Sequence, residues 1–140
     1  MVAASRPVAE RLNAAVARAG VEDMRAPYGF VIRAIAAAPL GLTELAERLG
    51  VTKQAAIKVV DEMEARGLLE RRPNPADRRA KVLALTARGE TVRAAALAES
   101  HAMERELRDE LGAEDVEALR RVLLRFLEKE GEGPGARPTW

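Results

Sequence analysis

The side chains best suited to chemistry in this sequence are basic, and they are concentrated in one segment. Residues 66–88 hold seven basic side chains and two acidic ones, a local excess of +5 in a chain of 140 residues whose net charge is +1. By contrast, residues 1–42 carry +2 and residues 89–140 carry −4. A cluster of this kind attracts an anionic partner. The alternative is a solvated charged face, which is common on helices, but this segment is not predicted to be helical.

Side chains that catalyse reactions are scarce by comparison. The sequence has no cysteine and a single histidine, His101, which follows Ser100, one of two serines. Neighbouring residues on a helix point about 100° apart, so these two do not form the hydrogen bond that a serine nucleophile needs. No phosphate-cradling glycine loop and no cluster of metal ligands is present. We therefore expect a binding protein with no enzymatic activity, no cofactor and no metal ion.

Length and composition indicate one domain inside the cell. The chain is 48% apolar and 32% charged, and no run of eighteen apolar residues exists that would cross a membrane. Arg6, Pro7 and Glu10 interrupt the apolar stretch that a secretion signal needs at the start of a chain. The sequence therefore predicts a cytoplasmic protein that is not inserted in a membrane.

Two short helices are predicted just before the basic segment. The first has Leu45 and Leu49 on its buried edge, and we expect Thr43 to cap it. The second is capped by Thr52 and ends at Gly67. Its apolar residues fall on one stripe: Ala56, Val59, Val60 and Met63. Gly50, which ends the first helix, and Val51 are all that separates Leu49 from Thr52. Two helices joined by such a short turn form a helix-turn-helix.

The basic segment itself is predicted to form a β-hairpin. Two short runs with apolar residues, at 68–72 and 81–85, are separated by Pro73, Asn74 and Pro75. Prolines and an asparagine between such runs are typical of a turn between two strands. A hairpin directly after a helix-turn-helix is a wing.

Helices are also predicted on both sides of this region. One ends at Gly20, a second runs from about Pro27 to just before Pro39, and a third extends from Thr86 to about Leu111. A last helix over 114–129 spreads its apolar residues over about 200° of arc, so it needs a second neighbour. The tail at 131–140 is rich in glycine and proline and is predicted to be disordered.

The stretch from Leu42 to Gly89 resembles the winged helix-turn-helix of the MarR family of bacterial transcription regulators. Four elements carry the resemblance: the helix LTELAERLG, the helix end Val-Asp-x-Met-Glu-x-x-Gly-Leu, the pair Asp77-x-Arg79, and the junction Leu85-Thr86-x-x-Gly89. It implies a mainly α-helical fold with a small β wing. In it, 25–88 is the winged helix-turn-helix, 5–20 and 87–130 are dimerisation helices, and 1–130 is one MarR-like domain.

The resemblance also implies a function. Relatives are homodimers that often repress transcription and release DNA when a small aromatic or phenolic ligand binds. Candidate ligand-binding residues are Met24, Tyr28, Phe30, His101 and Met103. For all five the alternative is packing within the protein or an ordinary surface position. A pH- or metal-sensing role for His101 is a further alternative.

The start of the second helix of the helix-turn-helix supplies the residues expected to read DNA, because that helix enters the major groove by its first turns. These are Thr52, Lys53, Gln54, Ile57 and Lys58. The Gln54 amide can pair with adenine in a bidentate manner, and Lys53 can reach guanine or phosphate. Thr52 and Lys58 are expected to hold phosphates. Ile57 contacts a thymine methyl group or packs in the core.

In the wing, the resemblance assigns Arg79 to the minor groove, where the negative potential attracts arginine. It assigns Asp77 to the support of that arginine, and the alternative for Asp77 is a turn-forming residue. Phosphate contacts are expected from the other basic residues of the hairpin, which are Arg71, Arg72, Arg78 and Lys81.

The predicted function is therefore sequence-specific binding of double-stranded DNA by a homodimer. Its two recognition helices would lie about 34 Å apart, which requires a near-palindromic operator. The alternative is a winged-helix module that binds another protein without specific DNA binding.

Overall fold

The computed structural model describes residues 2–77 and 79–129, with the side chains of 2–5 and 127 left aside. The described residues form six α-helices and two β-strands, which confirms the predicted class of a mainly α-helical protein with a small β wing. These are α1 (Val2–Arg18), α2 (Ala26–Ala37), α3 (Leu42–Leu49), α4 (Lys53–Ala65), β1 (Leu69–Pro73), β2 (Lys81–Leu85), α5 (Ala87–Leu111) and α6 (Ala113–Lys129). The tail predicted over 131–140 lies outside the described residues.

Two compact units divide the chain. The winged unit, Asp23–Arg93, contains α2, α3, α4, both strands and the first turns of α5. The helical unit contains α1, the remainder of α5 and α6. No helix among the described residues is long and apolar enough to cross a membrane.

In the helical unit, ion pairs join α1 to α5. Arg11 pairs with Glu99 at 2.7 Å and also with Glu106, while Arg18 reaches Glu99 at 3.4 Å. Ala15 and Val16 of α1 are buried, but α5 has no buried residue from Ala94 to Leu111. An apolar groove of about 300 Å³ is lined by Glu104, Val116, Leu119, Arg120, Leu123 and Leu124. The helical unit thus leaves much of its apolar surface uncovered.

The winged unit, in contrast, has a continuous core. Leu45 and Leu49 of α3 are buried as predicted, and Ala56, Val60 and Met63 form the buried stripe of α4. This spacing of three and four residues puts each set on one face of its helix. The rest of this core comes from α2, α3, the strands, the connections beside them and the start of α5: Tyr28, Val31, Ile32, Ile35, Leu40, Ala46, Leu68, Leu69, Leu83 and Val92.

The caps of the two central helices match the predictions except at one end. Gly50 ends α3 in the left-handed conformation, with φ of 65°, and the Thr52 hydroxyl caps α4 by accepting from the Ala55 N–H at 3.2 Å. The prediction that Thr43 caps α3 is wrong, because the cap is Gly41, whose carbonyl accepts from Leu45. Leu40, the residue before Gly41, forms a β-bridge with Leu83 of β2. The chain is extended up to this bridge, and α3 begins two residues later, at Leu42.

The hairpin pairs β1 with β2 in an antiparallel register that places Leu69 opposite Leu85 and Arg71 opposite Leu83. Leu83 also donates its N–H to the Leu40 carbonyl at 2.8 Å, which ties the hairpin to the connection between α2 and α3. Since side chains alternate along a strand, Arg71 shares the face of buried Leu69. The opposite face of β1 carries Glu70 and Arg72.

The junction between the hairpin and α5 brings three backbone segments together. Thr86 donates its hydroxyl to the Gly67 carbonyl at 2.5 Å, and its Oγ1 accepts from the Gly89 N–H at 3.1 Å. The Thr86 N–H donates to the Leu68 carbonyl at 3.2 Å. A Cβ atom at residue 89 would overlap the Leu68 carbonyl oxygen and lie 3.1 Å from Leu85 Cδ2. Only glycine permits this approach.

Gly89→Ala should therefore lower the free energy of unfolding by roughly 1–3 kcal/mol, because the first turn of α5 must move away from Leu68. The measurement is thermal or urea unfolding of the full chain. Gly29→Ala is the matched control, since its Cβ meets nothing within 4 Å and Gly29 lies within α2. That control should be neutral or stabilise by up to about 1 kcal/mol, and equal unfolding curves for the two variants would contradict the assignment.

Candidate nucleic-acid interface

The first turns of α4 bring the predicted DNA-reading residues together. Lys53, Gln54 and Lys58 are exposed, and Ile57 is half-buried. At about 100° per residue, Gln54 and Lys58 lie on the side of the helix opposite its buried stripe. Ile57 sits between the two sides, which leaves both of its predicted roles open.

Thr52 occupies the start of this helix with its hydroxyl engaged. Its Oγ1 accepts from the Ala55 N–H, but the hydroxyl hydrogen can still be donated to an acceptor outside the protein. The helix begins here, so its unpaired N–H groups and positive dipole end also favour an anion at this point. The predicted phosphate contact of Thr52 is compatible with its capping role.

The tip of the hairpin is held by two side chains that bond to their own loop. Asn74 Oδ1 accepts from the Ala76 N–H at 2.9 Å, and Asp77 Oδ1 accepts from the Arg79 N–H at 3.0 Å. Both bonds span two residues, as in Asx turns. The structure therefore shows Asp77 in its turn-forming role, with its carboxylate on the Arg79 backbone, while the Arg79 side chain is exposed. Arg78, a predicted phosphate contact, lies outside the described residues.

Two of the predicted phosphate contacts are already paired with carboxylates. Arg72 Nε donates to Glu70 at 2.8 Å, which is possible because the two alternate residues share one face of β1. Arg71, on the other face, donates to Asp61 of α4 at 2.6 Å and also to Glu64. The hydrogen bond that Arg71 donates to Asp61 raises the pKa of Arg71, and the charges of both carboxylates act in the same direction against partial burial.

Four basic side chains near this surface have no ion pair with a carboxylate of the described residues. They are Lys53 and Lys58 at the start of α4, Arg79 at the hairpin tip, and Lys81 at the start of β2. All four are exposed. The basic side chains of α4 and the hairpin are therefore of two kinds: those paired with carboxylates of the protein, and those that remain available to an anion.

Tyr28, a candidate ligand-binding residue, is buried within the winged unit. It is 1% exposed, and its hydroxyl donates to Glu62 of α4 at 3.1 Å. Arg25 pairs with the same carboxylate, and the Arg66 guanidinium lies 5.4 Å from the centre of the tyrosine ring. These contacts tie the start of α2 to the second half of α4.

The other candidate ligand-binding residues do not form one site within either unit. Met24 and Phe30 are half-buried in the winged unit, where the Arg33 guanidinium lies 5.4 Å from the Phe30 ring centre. In the helical unit, His101 is exposed and Met103 is half-buried. None of these four residues lines the apolar groove of the helical unit.

Sequence reasoning missed the acidic residues of α4. Asp61 and Glu64 belong to the helix-end motif, but their pairing with Arg71 was not foreseen, nor was the role of Glu62. One signal was available: alternation from buried Leu69 places Arg71 on the face of β1 that points into the protein. No group of the described residues is arranged to hold a metal ion.

The chain is similar to known regulators. A model of the MarR family matches residues 22–80. The transcriptional regulator HosA of Escherichia coli O111:H- is 33% identical over 107 residues, which cover 75% of this chain and 78% of HosA. RV1404 of Mycobacterium tuberculosis has a similar structure, with a TM-score of 0.73, 26% identity, and coverage of 96% of this chain and 92% of that one. The transcriptional repressor CouR, bound to a 23-mer DNA duplex, gives a TM-score of 0.66 at 30% identity over 88% of this chain and 86% of its own.

Acid should weaken the contacts that Glu62 makes. Partial burial raises its pKa, but the hydrogen bonds from Arg25 and Tyr28 and the charges of Arg25 and Lys58 outweigh this and place the pKa below the usual range. A carboxylate whose pKa is lowered by folding contributes stability that is fully present above the pKa of the unfolded chain, about 4.3, and is lost as the pH falls through the folded value.

Glu62→Gln should therefore destabilise the protein at pH 7 and have a diminishing effect below about pH 4. Thermal unfolding of wild type and variant across this pH range gives the difference directly. Glu47→Gln, on the exposed side of α3, removes a carboxylate without touching the contacts of Arg25 and Tyr28 and serves as the control. A Glu62→Gln effect that stays constant down to pH 3 would show that its charge plays no part.

Proposed function

The chain belongs to the MarR family of transcriptional regulators, and on this basis we propose that it is a homodimeric, cytoplasmic repressor. It binds a near-palindromic operator in double-stranded DNA and is released by a small aromatic or phenolic ligand. Family membership itself makes the chain a DNA-binding regulator of transcription and confirms the prediction that it is not an enzyme. The finer statements are supported by the exposed side chains of α4 and the hairpin.

The observation that carries the proposal is the exposed start of α4. Gln54 and Lys58 stand one turn apart on the side that faces away from the core, and Lys53 is exposed beside them. In a helix-turn-helix this is the part of the second helix that meets the floor of the major groove. The exposure of one amide and two cations at this part of α4 supports the proposal that they contact DNA.

Each of these side chains suits a different part of the duplex. The Gln54 amide can donate to and accept from one adenine, which fixes the identity of that base pair. Lys53 reaches guanine or phosphate, and Lys58 and Thr52 hold phosphates that set the position of the helix. Ile57, half-buried, has part of its side chain available to a thymine methyl group.

The hairpin extends the contact to the neighbouring minor groove. Arg79 is exposed at the tip, and the Asp77 turn fixes the backbone from which it projects. An arginine so placed can enter a narrow minor groove, where the negative potential is strongest. Lys81 is available for a phosphate, as Arg78 is predicted to be, whereas Arg72 would first have to leave Glu70.

Dimerisation is supported by the distribution of exposed apolar side chains. Among the described residues, all nine large apolar side chains that are exposed belong to the helical unit. They are Val8, Leu97, Leu107, Leu111, Leu119, Val122, Leu123, Leu124 and Phe126. A second copy can cover this surface, and a two-fold dimer presents two α4 helices to one face of the duplex.

Release by a ligand is supported by membership of the MarR family. In a complex with operator DNA, a panel of phenols and aromatic carboxylates tests it. At least one compound should raise the Kd for operator, and a panel that leaves the Kd unchanged would remove this part of the proposal.

Gln54 and Lys58 provide the sharpest test of DNA reading, with the operator obtained by selection from random duplexes. Gln54→Ala should cost about 1–3 kcal/mol for the selected operator and relax one base position. Lys58→Ala should weaken operator and random duplex alike and reduce the salt dependence of log K by about 0.9 per protomer.

Fluorescence anisotropy at two salt concentrations distinguishes these outcomes. Uniform loss across all sequences for Gln54→Ala would contradict its base-reading role. If the wild type bound no duplex even at low salt, the alternative of a protein-interaction module would stand in place of the regulator proposed here.

The dimer is tested by Val122→Glu on α6. Val122 is 63% exposed in the single chain, so a glutamate costs little there, but it would place a charge in the covered surface of a dimer. The wild type should run at twice the 15.2 kDa of one chain, and the variant should shift towards monomer in light scattering. Arg121→Glu, about 100° around the helix, is the control and should remain dimeric. A monomeric wild type would contradict the proposal.

A further inference from the structure

The Arg71 side chain joins the hairpin to α4, the second helix of the helix-turn-helix. Its guanidinium is shared between Asp61 and Glu64, two carboxylates that lie one turn apart on α4. The side chain is 26% exposed, so the contact is partly shielded from water. A planar guanidinium suits such a pair because it offers several donors in a fixed geometry.

This contact lies at the same level of the hairpin as Leu83, where β2 is attached to the rest of the winged unit by a buried side chain and a backbone hydrogen bond. Arg71 is opposite Leu83 in the register, and Leu83 bonds through its backbone to Leu40. One strand is therefore held by a side chain to α4, and the other by its backbone to the connection between α2 and α3.

Further out, the hairpin is bonded only to itself in the described part of the chain. Asn74 pairs with Ala80, and Asp77 bonds within the tip. β1 continues for two residues beyond Arg71, roughly 7 Å at about 3.3 Å per strand residue, before the tip begins. A small change of angle at Arg71 would thus displace Arg79 by a larger distance.

The acidic partners occupy an unfavourable place for a DNA-binding helix. Asp61 follows Gln54 by seven residues and Lys58 by three, so it lies on the same side of α4 as the proposed reading residues. A free carboxylate there would repel DNA phosphates and lower the affinity for DNA unless a partner neutralises its charge. Pairing with Arg71 both neutralises it and connects it to the hairpin.

We propose that Arg71 is a positioning residue, which sets the angle between hairpin and α4 through Asp61 and Glu64 so that Arg79 and Gln54 can engage one DNA site together. The DNA part of this inference rests on the proposed function. Arg71 then contributes to discrimination between operator and random DNA, and not to phosphate binding.

The double variant Asp61→Asn, Glu64→Gln separates this role from simple electrostatics, because the two predict opposite signs. It removes two negative charges, so charge alone would tighten binding to every duplex. Loss of the brace should instead weaken operator binding by about three- to tenfold, while random duplex is bound as well as before or better. Tighter binding of the operator would overturn the proposal.

Substitutions of Arg71 give an independent answer. Arg71→Gln should reduce the ratio of operator to random affinity with no change in salt dependence, whereas loss of a phosphate contact would lower that dependence by about 0.9 per protomer. Arg71→Lys keeps the charge but not the fork that spans both carboxylates. It should resemble Arg71→Gln in the affinity ratio, and full rescue by lysine would identify a phosphate contact instead.

Hydrogen exchange on the DNA-free protein completes the test. The amides of β1 and β2 should exchange about three- to tenfold faster in the Asp61→Asn, Glu64→Gln variant, with α2 unchanged as an internal check of folding. Glu70→Gln, which removes the partner of Arg72 on the other face of β1, is the matched control and should leave both exchange and affinity ratio as in wild type. Unchanged exchange in the double variant would refute the brace. This readout needs no DNA, so it decides the brace even if the wild type bound no duplex and the proposed function failed.

Discussion

The winged unit depends on one close approach, between the first turn of α5 and the chain that leaves α4. Gly89 lies against the Leu68 carbonyl, and Thr86 bonds to Gly67, Leu68 and Gly89 at once. The end of α4, the start of β1 and the first turn of α5 therefore meet with almost no space between their backbones. Their mutual angles follow from this junction, because a glycine contact leaves no flexible side chain to absorb a shift.

Ion pairing then decides which basic side chains of α4 and the hairpin are available to an anion. Arg71 and Arg72 are held by carboxylates, whereas Lys53, Lys58, Arg79 and Lys81 remain exposed without such partners among the described residues. Phosphate binding needs available cations, but a rigid reading surface needs cations that hold elements together. The net charge of a segment does not distinguish these two kinds of cation. The +5 of residues 66–88 therefore overstates the positive charge that is available to DNA phosphates.

Apolar surface is divided just as unevenly. Among the described residues, the winged unit exposes no large apolar side chain, while the helical unit exposes nine, and ion pairs join its α1 to α5. An exposed apolar surface of this kind is typical of one that a partner covers, which supports the proposed homodimer. The two-fold symmetry of such a dimer would then require a near-palindromic operator.

The amino-acid sequence by itself determined the helices, the hairpin, most caps and the family, because apolar spacing and capping residues act over a few neighbours. It also located Gln54, Lys58 and Arg79 on exposed positions. Only the tertiary structure decided that Gly41 and not Thr43 caps α3, since the Leu40 bridge to Leu83 comes from a distant strand. It likewise assigned Arg71 to Asp61 and Glu64, and Tyr28 to Glu62. Contacts between elements depend on their packing angles, which no local pattern of residues specifies.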